Sequence, residues 1–206
     1  MHRPSRYQLA SIVAATVLVS YMAATAAMQT NQIPQSLDLP PVLLAEAASV
    51  DYFLKLEGVE GESTSETHKG QIEIDSFSWG MSNSGSMAAG GGGGAGKVSF
   101  TSLRLTTVVS KASPMLFESV ATGKHFPSAT LTLVDSEQRG REFMKVTLSD
   151  VIISSYQTAG ISGGAPTESF KLNFAKIEYE YTPQSPDGSM DAPVKAGYDL
   201  ALNKKV

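Results

Sequence analysis

Four long stretches of β-type sequence change face partway along, and this limits the possible folds more than any composition figure. In Gln71 to Met81, Ile72 and Ile74 share one parity while Phe77, Trp79 and Met81 take the other, so the alternation slips near Asp75 and Ser76. Val98 and Phe100 are likewise followed by Leu103 and Leu105 within Lys97 to Val109. In Phe143 to Tyr156, Met144, Val146 and Leu148 give way to Val151 and Ile153, and in Ser169 to Thr182, Leu172 and Phe174 give way to Ile177, Tyr179 and Tyr181. A one-residue slip turns the inward face outward unless the strand carries a bulge or passes from one packing surface to another. Together with two shorter strands, Val50 to Leu56 and Ala129 to Asp135, the pattern predicts a mainly β fold, a small β-barrel of two packed antiparallel sheets with bent corners.

One short helix interrupts the strands. Ser113 offers an N-cap oxygen, Pro114 suits the first helical position, Gly123 closes the end, and Leu116, Phe117, Val120 and Ala121 form an apolar stripe. Two to three turns are marginal alone, so the helix is expected to flank and pack on the barrel.

The amino terminus follows other rules. His2, Arg3 and Arg6 precede an uncharged run from Leu9 to Ala27 that ends in small residues, the pattern of a secretory signal peptide. About 19 apolar residues also just suffice to span a bilayer, so an uncleaved anchor competes with it. Residues 28 to 49 hold three prolines without sustained periodicity and read as a linker, which leaves one folded domain from 50 to 206.

Charge and composition exclude several classes of chemistry. Sixteen basic residues against 20 acidic ones give a net charge of −4, which offers no broad cationic field for DNA or RNA. No cysteine is present, so disulfides, thiolate metal sites and cysteine nucleophiles are all excluded. Gly91, Gly96 and Lys97 have the spacing of a phosphate loop, but Val98 stands where a hydroxyl must reach magnesium. A β-type run follows in place of the helix that such a loop requires, so the glycines read as a flexible strand connection.

His68 and His125 sit in turn-like settings and are expected on surface loops, with no constellation around them for a metal or a serine nucleophile. Glu178 and Glu180 share one strand face with Lys176, about 7 Å apart, a spacing that would suit an inverting glycosidase. A solvated polar face is the much commoner meaning of such a pattern. Trp79, the sole tryptophan, reads as a core anchor, while Ser76 and Ser78 take the opposite parity and look onto polar space.

Ten segments, among them "DYFLKLEGVEGES", "SFSWGMSNSGSM", "GGGGAGKVSF", "LSDVIISSYQTAG", "LNFAKIEYEYTPQ" and "PVKAGYDL", stand in the order found in the Hcp family, the haemolysin-coregulated proteins. The resemblance runs from about Val50 to Val206. It implies a small β-barrel with one flanking helix that forms homohexameric rings, stacked into the inner tube of a type VI secretion system. Such a tube is driven by a contractile sheath, tipped by a VgrG spike, and carries effector proteins in its lumen to the cell exterior. It implies no catalysis, cofactor, metal or nucleic acid, and a folded domain outside the membrane.

By the same resemblance, Ser76 and Ser78 lie on the lumen wall where cargo is met. Gly58 to Gly70 is the loop that reaches a neighbouring ring or subunit, with Glu60, Glu62, Ser63, Thr64, Ser65, Glu66 and Lys69 as its polar contacts. Tyr198 departs from the tryptophan expected in "GYD". The amino terminus departs further, because family members begin near Val50 and assemble in the cytoplasm. Either translation starts near Val50, or the chain is a Sec-exported relative that acts as a secreted or envelope binding protein and does not join the cytoplasmic tube.

Overall fold

A computed structural model describes residues 49–85, 97–137, 140–185 and 187–206, all within the compact unit Ala47–Val206. The signal-like segment 1–27, the linker up to residue 48 and the glycine run 90–96 lie outside the described residues. The strands are β1 (Val50–Leu56), β2 (Ile72–Ile74), β3 (Ser76–Ser78), β4 (Met81–Asn83), β5 (Val98–Phe100), β6 (Leu103–Val108), β7 (His125–Asp135), β8 (Arg141–Ala159), β9 (Thr167–Tyr181), β10 (Val194–Asp199) and β11 (Lys204–Lys205). One helix, α1 (Ser113–Thr122), separates β6 from β7.

Nine strands make one antiparallel sheet in the order β11-β10-β9-β8-β7-β1-β2, with β6 on the free half of β9 and β3 beside β6. β4 and β5 form a separate two-stranded ribbon. β9 serves two partners along its outer edge, β6 from Thr167 to Leu172 and β10 from Lys176 to Tyr181, while β8 runs the length of its inner edge.

Two of the four face changes read from the sequence, those in β8 and β9, fall on one transverse line. Buried residues in β8 pass from Val146 and Leu148 to Val151 and Ile153, and in β9 from Phe170 and Leu172 to Ile177. β7 does the same, from Phe126 to Ala129 and Leu131. The registers on either side place Pro127, Asp150 and Ala175 next to one another across the three strands. Pro127 has no N–H to give a ladder, and Asp150 has the left-handed φ of 52°. The line is therefore a built-in break across which the inward face shifts by one residue.

That arrangement corrects the expected architecture. The sheet does not close into a barrel: its path ends on β2 and β11, and the two layers are halves of one sheet sharing β7, β8 and β9. Gln71 to Met81 is also not one strand. β2 pairs with β1 and β3 with β6, and the chain changes partner at Asp75, whose N–H donates to Thr106 O at 2.8 Å. Lys97 to Val109 divides in the same way, into β5 and β6.

The two halves enclose one core, in which Leu54, Leu105, Leu131, Leu148, Phe170 and Leu172 are buried. α1 covers it through Leu116, but the cap differs from expectation. Ala112 takes the N-cap position, and Ser113 is the first helical residue, where its buried hydroxyl accepts the N–H of Ser110 at 2.9 Å. Gly123 ends the helix at φ 65° as expected, while Phe117 turns outward, 63% exposed, against the edge of the Tyr156 ring.

Candidate functional site

β3 is too short to bury much, and its alternation decides which groups it presents. Phe77 turns towards the core and meets Tyr52 edge-on at 5.4 Å, which leaves Ser76 and Ser78 exposed on the opposite face. The register carries that face across three further strands. Ser76 lies beside Thr106, Ser169 and Gln157, and Ser78 beside Arg104, Lys171 and Ser155. Ser102 extends it by donating to Asn173 Oδ1 at 2.5 Å. The result is a surface of short hydroxyls and amides with two cations, bordering an open pocket of about 680 Å³ lined by Ser78, Trp79, Thr101, Ser102, Arg104 and Lys171.

Trp79 packs against the core as expected, but is not fully buried. It is half-buried, stacks on Phe100 at 6.4 Å and leans on Tyr179 at 6.3 Å, so one edge stays open to the pocket rim. Tyr198, at the departure from the family pattern, joins the same aromatic group through Phe100 at 5.9 Å.

Residues 58–70 form a second candidate contact. They are more firmly held than their polar composition suggests. Val59 is buried, and Gly61, Ser63 and Gly70 exchange backbone bonds that tie both limbs together, with Gly61 N–H on Gly70 O at 2.7 Å. A Cβ on Gly61 would sit 2.1 Å from Gln71 O, so that close approach needs glycine.

His68 is the main correction here. It is 3% exposed, not a surface residue, because its ring stacks on Phe53 at 4.5 Å and its Nε2 lies 3.4 Å from Glu142 Oε1. Ser63, expected to be exposed, is also buried and holds Ser65 N–H. Glu60 and Glu62 are exposed but turn towards Lys111 of the same chain, at 3.4 Å from Nζ and 3.0 Å from N. Thr64, Glu66 and Lys69 are exposed and free to meet another molecule, and Ser65 is half-exposed.

His125 is a surface residue as expected, with Nδ1 3.1 Å from Asp150 Oδ1. Glu178 and Glu180 form an ion-paired face, Glu178 with Lys176 at 3.2 Å and Glu180 with Lys195 at 2.8 Å. Each carboxylate is taken up by a lysine, as on a structural polar surface. Among the described residues, no group of three or more His, Asp or Glu is placed to hold a metal, and no helix is long and apolar enough to cross a membrane.

Sequence reading missed Arg104 and Lys171. Each stands between two core residues, Leu103 and Leu105 or Phe170 and Leu172, so its outward direction was legible. Their juxtaposition was not, because it needs the β6–β9 pairing.

The sequence model of the family described as "Type VI secretion system effector, Hcp" matches residues 53–181. "Protein hcp1" of Pseudomonas aeruginosa is 43% identical over 159 residues, covering 75% of this chain and 98% of that protein. Of solved structures, a type six secretion system protein superposes with a TM-score of 0.73 at 32% identity, covering 77% of this chain and all of that one. Hcp1 from Salmonella typhimurium gives 0.64 at 34% identity, covering 77% and 99%.

Proposed function

The chain belongs to the Hcp family of type VI secretion tube proteins, and on that premise we propose that residues 50–206 form hexameric rings that stack into a tube and carry effectors in the lumen. The observation that carries this reading is the exposed hydroxyl face of Ser76 and Ser78 on a strand whose other side enters the core. Small polar groups without deep apolar pockets hold a folded passenger weakly, and a passenger must leave on delivery. The loop of residues 58–70 supplies the contact between rings. Its base is fixed on Phe53 and Lys111, and it offers Thr64, Ser65, Glu66 and Lys69 outward. A VgrG spike, a contractile sheath and effector proteins are the further partners of this reading, and it requires no catalysis.

Electron microscopy of the purified protein tests it. Rings with an open channel are expected, and monomers at every concentration would remove the proposal.

A second reading rests on Arg3, Arg6 and the run from Leu9 to Ala27: Sec-dependent export of an Hcp-like binding protein to the envelope or medium. Sequencing the amino terminus of the native protein in cell and medium fractions separates the two. A chain cut after residue 27 in a strain without a working type VI machine supports export; an uncut, cytoplasmic chain opposes it.

A further inference from the structure

Among the described residues, charged residues placed directly opposite one another across the ladders pair by sign in every case but one. Arg141 faces Asp135, Lys145 faces Glu180, Lys195 faces Glu180, and both Lys176 and Lys204 face Asp199. The exception is Arg104 on β6, which faces Lys171 on β9. Opposed residues of an antiparallel pair hold their Cβ atoms about 4.5–5.5 Å apart, so these two cations repel each other and weaken the sheet locally.

Nothing nearby relieves that repulsion. The row continues to Ser78 on one side and Ser155 on the other, and neither cation has an acidic partner among the described residues. Both line the open pocket together with Ser78, whose hydroxyl can donate to an oxygen, while the Thr101 and Ser102 hydroxyls beside it already donate to Gly80 O and Asn173 Oδ1. A like-charge pair beside a free hydroxyl donor is a receptor for an oxyanion.

We propose that Arg104 and Lys171, with the Ser78 hydroxyl, dock acidic side chains of a protein passenger. This deepens the cargo-wall reading above and rests on it. A nucleic acid fits less well, since two cations neutralise only two phosphates and the chain as a whole carries −4. Acidic side chains on a folded surface need no longer cationic track. Trp79 and Phe100, stacked at the rim, give the neighbouring apolar part of the passenger a flat support. Ions in solution screen exposed charges at this range, so the contact releases as readily as it forms.

The sole tryptophan lines the pocket, so its fluorescence reads occupancy directly. Assembled full-length protein is titrated with a glutamate-rich octapeptide, a lysine-rich octapeptide, an eight-nucleotide oligothymidylate and inorganic phosphate. The glutamate peptide is expected to shift Trp79 emission, and the pair Arg104→Glu and Lys171→Glu to weaken that binding at least about tenfold. The milder pair Arg104→Ser and Lys171→Ser, which removes the repulsion, covers a failure of the first to fold and is expected to lose the response as well.

An equal response to the lysine peptide, or an unchanged response in the serine variant, overturns the proposal. So does tighter binding of the oligothymidylate than of the peptide, which would assign the patch to nucleic acid, or phosphate alone matching the peptide. Micrographs of the same samples separate the two levels: rings that do not respond to the acidic peptide overturn the patch alone, whereas a chain that forms no rings overturns the tube reading.

Discussion

The outward faces of the two sheet halves, on either side of the Pro127–Asp150–Ala175 line, are built by opposite rules. Beyond Ala175, Glu180 lies between Lys145 and Lys195 across β8, β9 and β10, and the charges are held in ion pairs, Lys176 with Glu178, Lys195 with Glu180 and Lys145 with Glu142. Before it, Ser169, Lys171, Arg104, Thr106, Ser76 and Ser78 make a face in which hydroxyls predominate and the two charges among these described residues repel. The first half satisfies itself and the second leaves its bonding capacity to another molecule. One sheet over one core thus carries a closed surface and an open one, and the open one is the face proposed above to meet cargo.

Several changes would break or sharpen this contrast. The largest concerns the shared core. Phe170, fully buried on the inner side of the open half, should cost about 3–5 kcal/mol when replaced by alanine. Because both halves share that core, denaturant unfolding should shift as a single transition; two separate transitions would mean that the halves are independent modules.

Tyr156 gives a smaller effect, with a pH signature confined to the open half. Its hydroxyl donates to Glu168 Oε2 at 2.7 Å, and Glu168 is buried, so Tyr156→Phe should cost about 1–3 kcal/mol at neutral pH by leaving that carboxylate unsatisfied. Burial, and next the Glu168 carboxylate working against a bond from Thr158, holds the Tyr156 hydroxyl above its ordinary pKa of 10.0. A group whose folded pKa is raised contributes stability that is fully present below the unfolded value and lost as pH rises through the folded one. The decline in stability above about pH 10 should therefore be shallower in Tyr156→Phe.

The boundary between the halves is testable at Asp150. A β-branched residue is poorly tolerated at φ 52°, so Asp150→Val should cost about 1–2 kcal/mol, while Asp150→Gly should keep the fold and lose only the exposed contact to His125. Equal stability of the two variants would show that the left-handed residue does not set the break.

The smallest effect separates the two faces by sign. Glu180→Gln, which removes an acid lying between two lysines, should destabilise by less than about 1 kcal/mol. Arg104→Ser should be neutral or slightly stabilising, because it ends a repulsion. Thermal melts of both variants check this, and a clear loss on Arg104→Ser would place that residue among structural groups.

Much of this arrangement could be read in the chain because alternation is a local property. The slips in Phe143 to Tyr156 and Ser169 to Thr182 announced the break, and Ser76 and Ser78 lay on the predicted outward parity. Local pattern could not tell a bent sheet from a closed barrel, since both require the same slips and only the pairings of β2 and β3 decide. His68 was misread for a related reason: a histidine in a polar turn is buried here by Phe53 and Glu142, neither of which the turn itself contains. Arg104 and Lys171 became a pair only through a ladder joining distant strands.

The orientation of the open half in an assembled ring bears most directly on the whole account. The chain has no cysteine, so Ser78→Cys creates a unique thiol on an exposed face, and a gold-maleimide label can be located in averaged images of the rings. Label density inside the central channel is the expected result. Label on the outer rim, with rings intact, would contradict a cargo wall built from Ser78, Arg104 and Lys171.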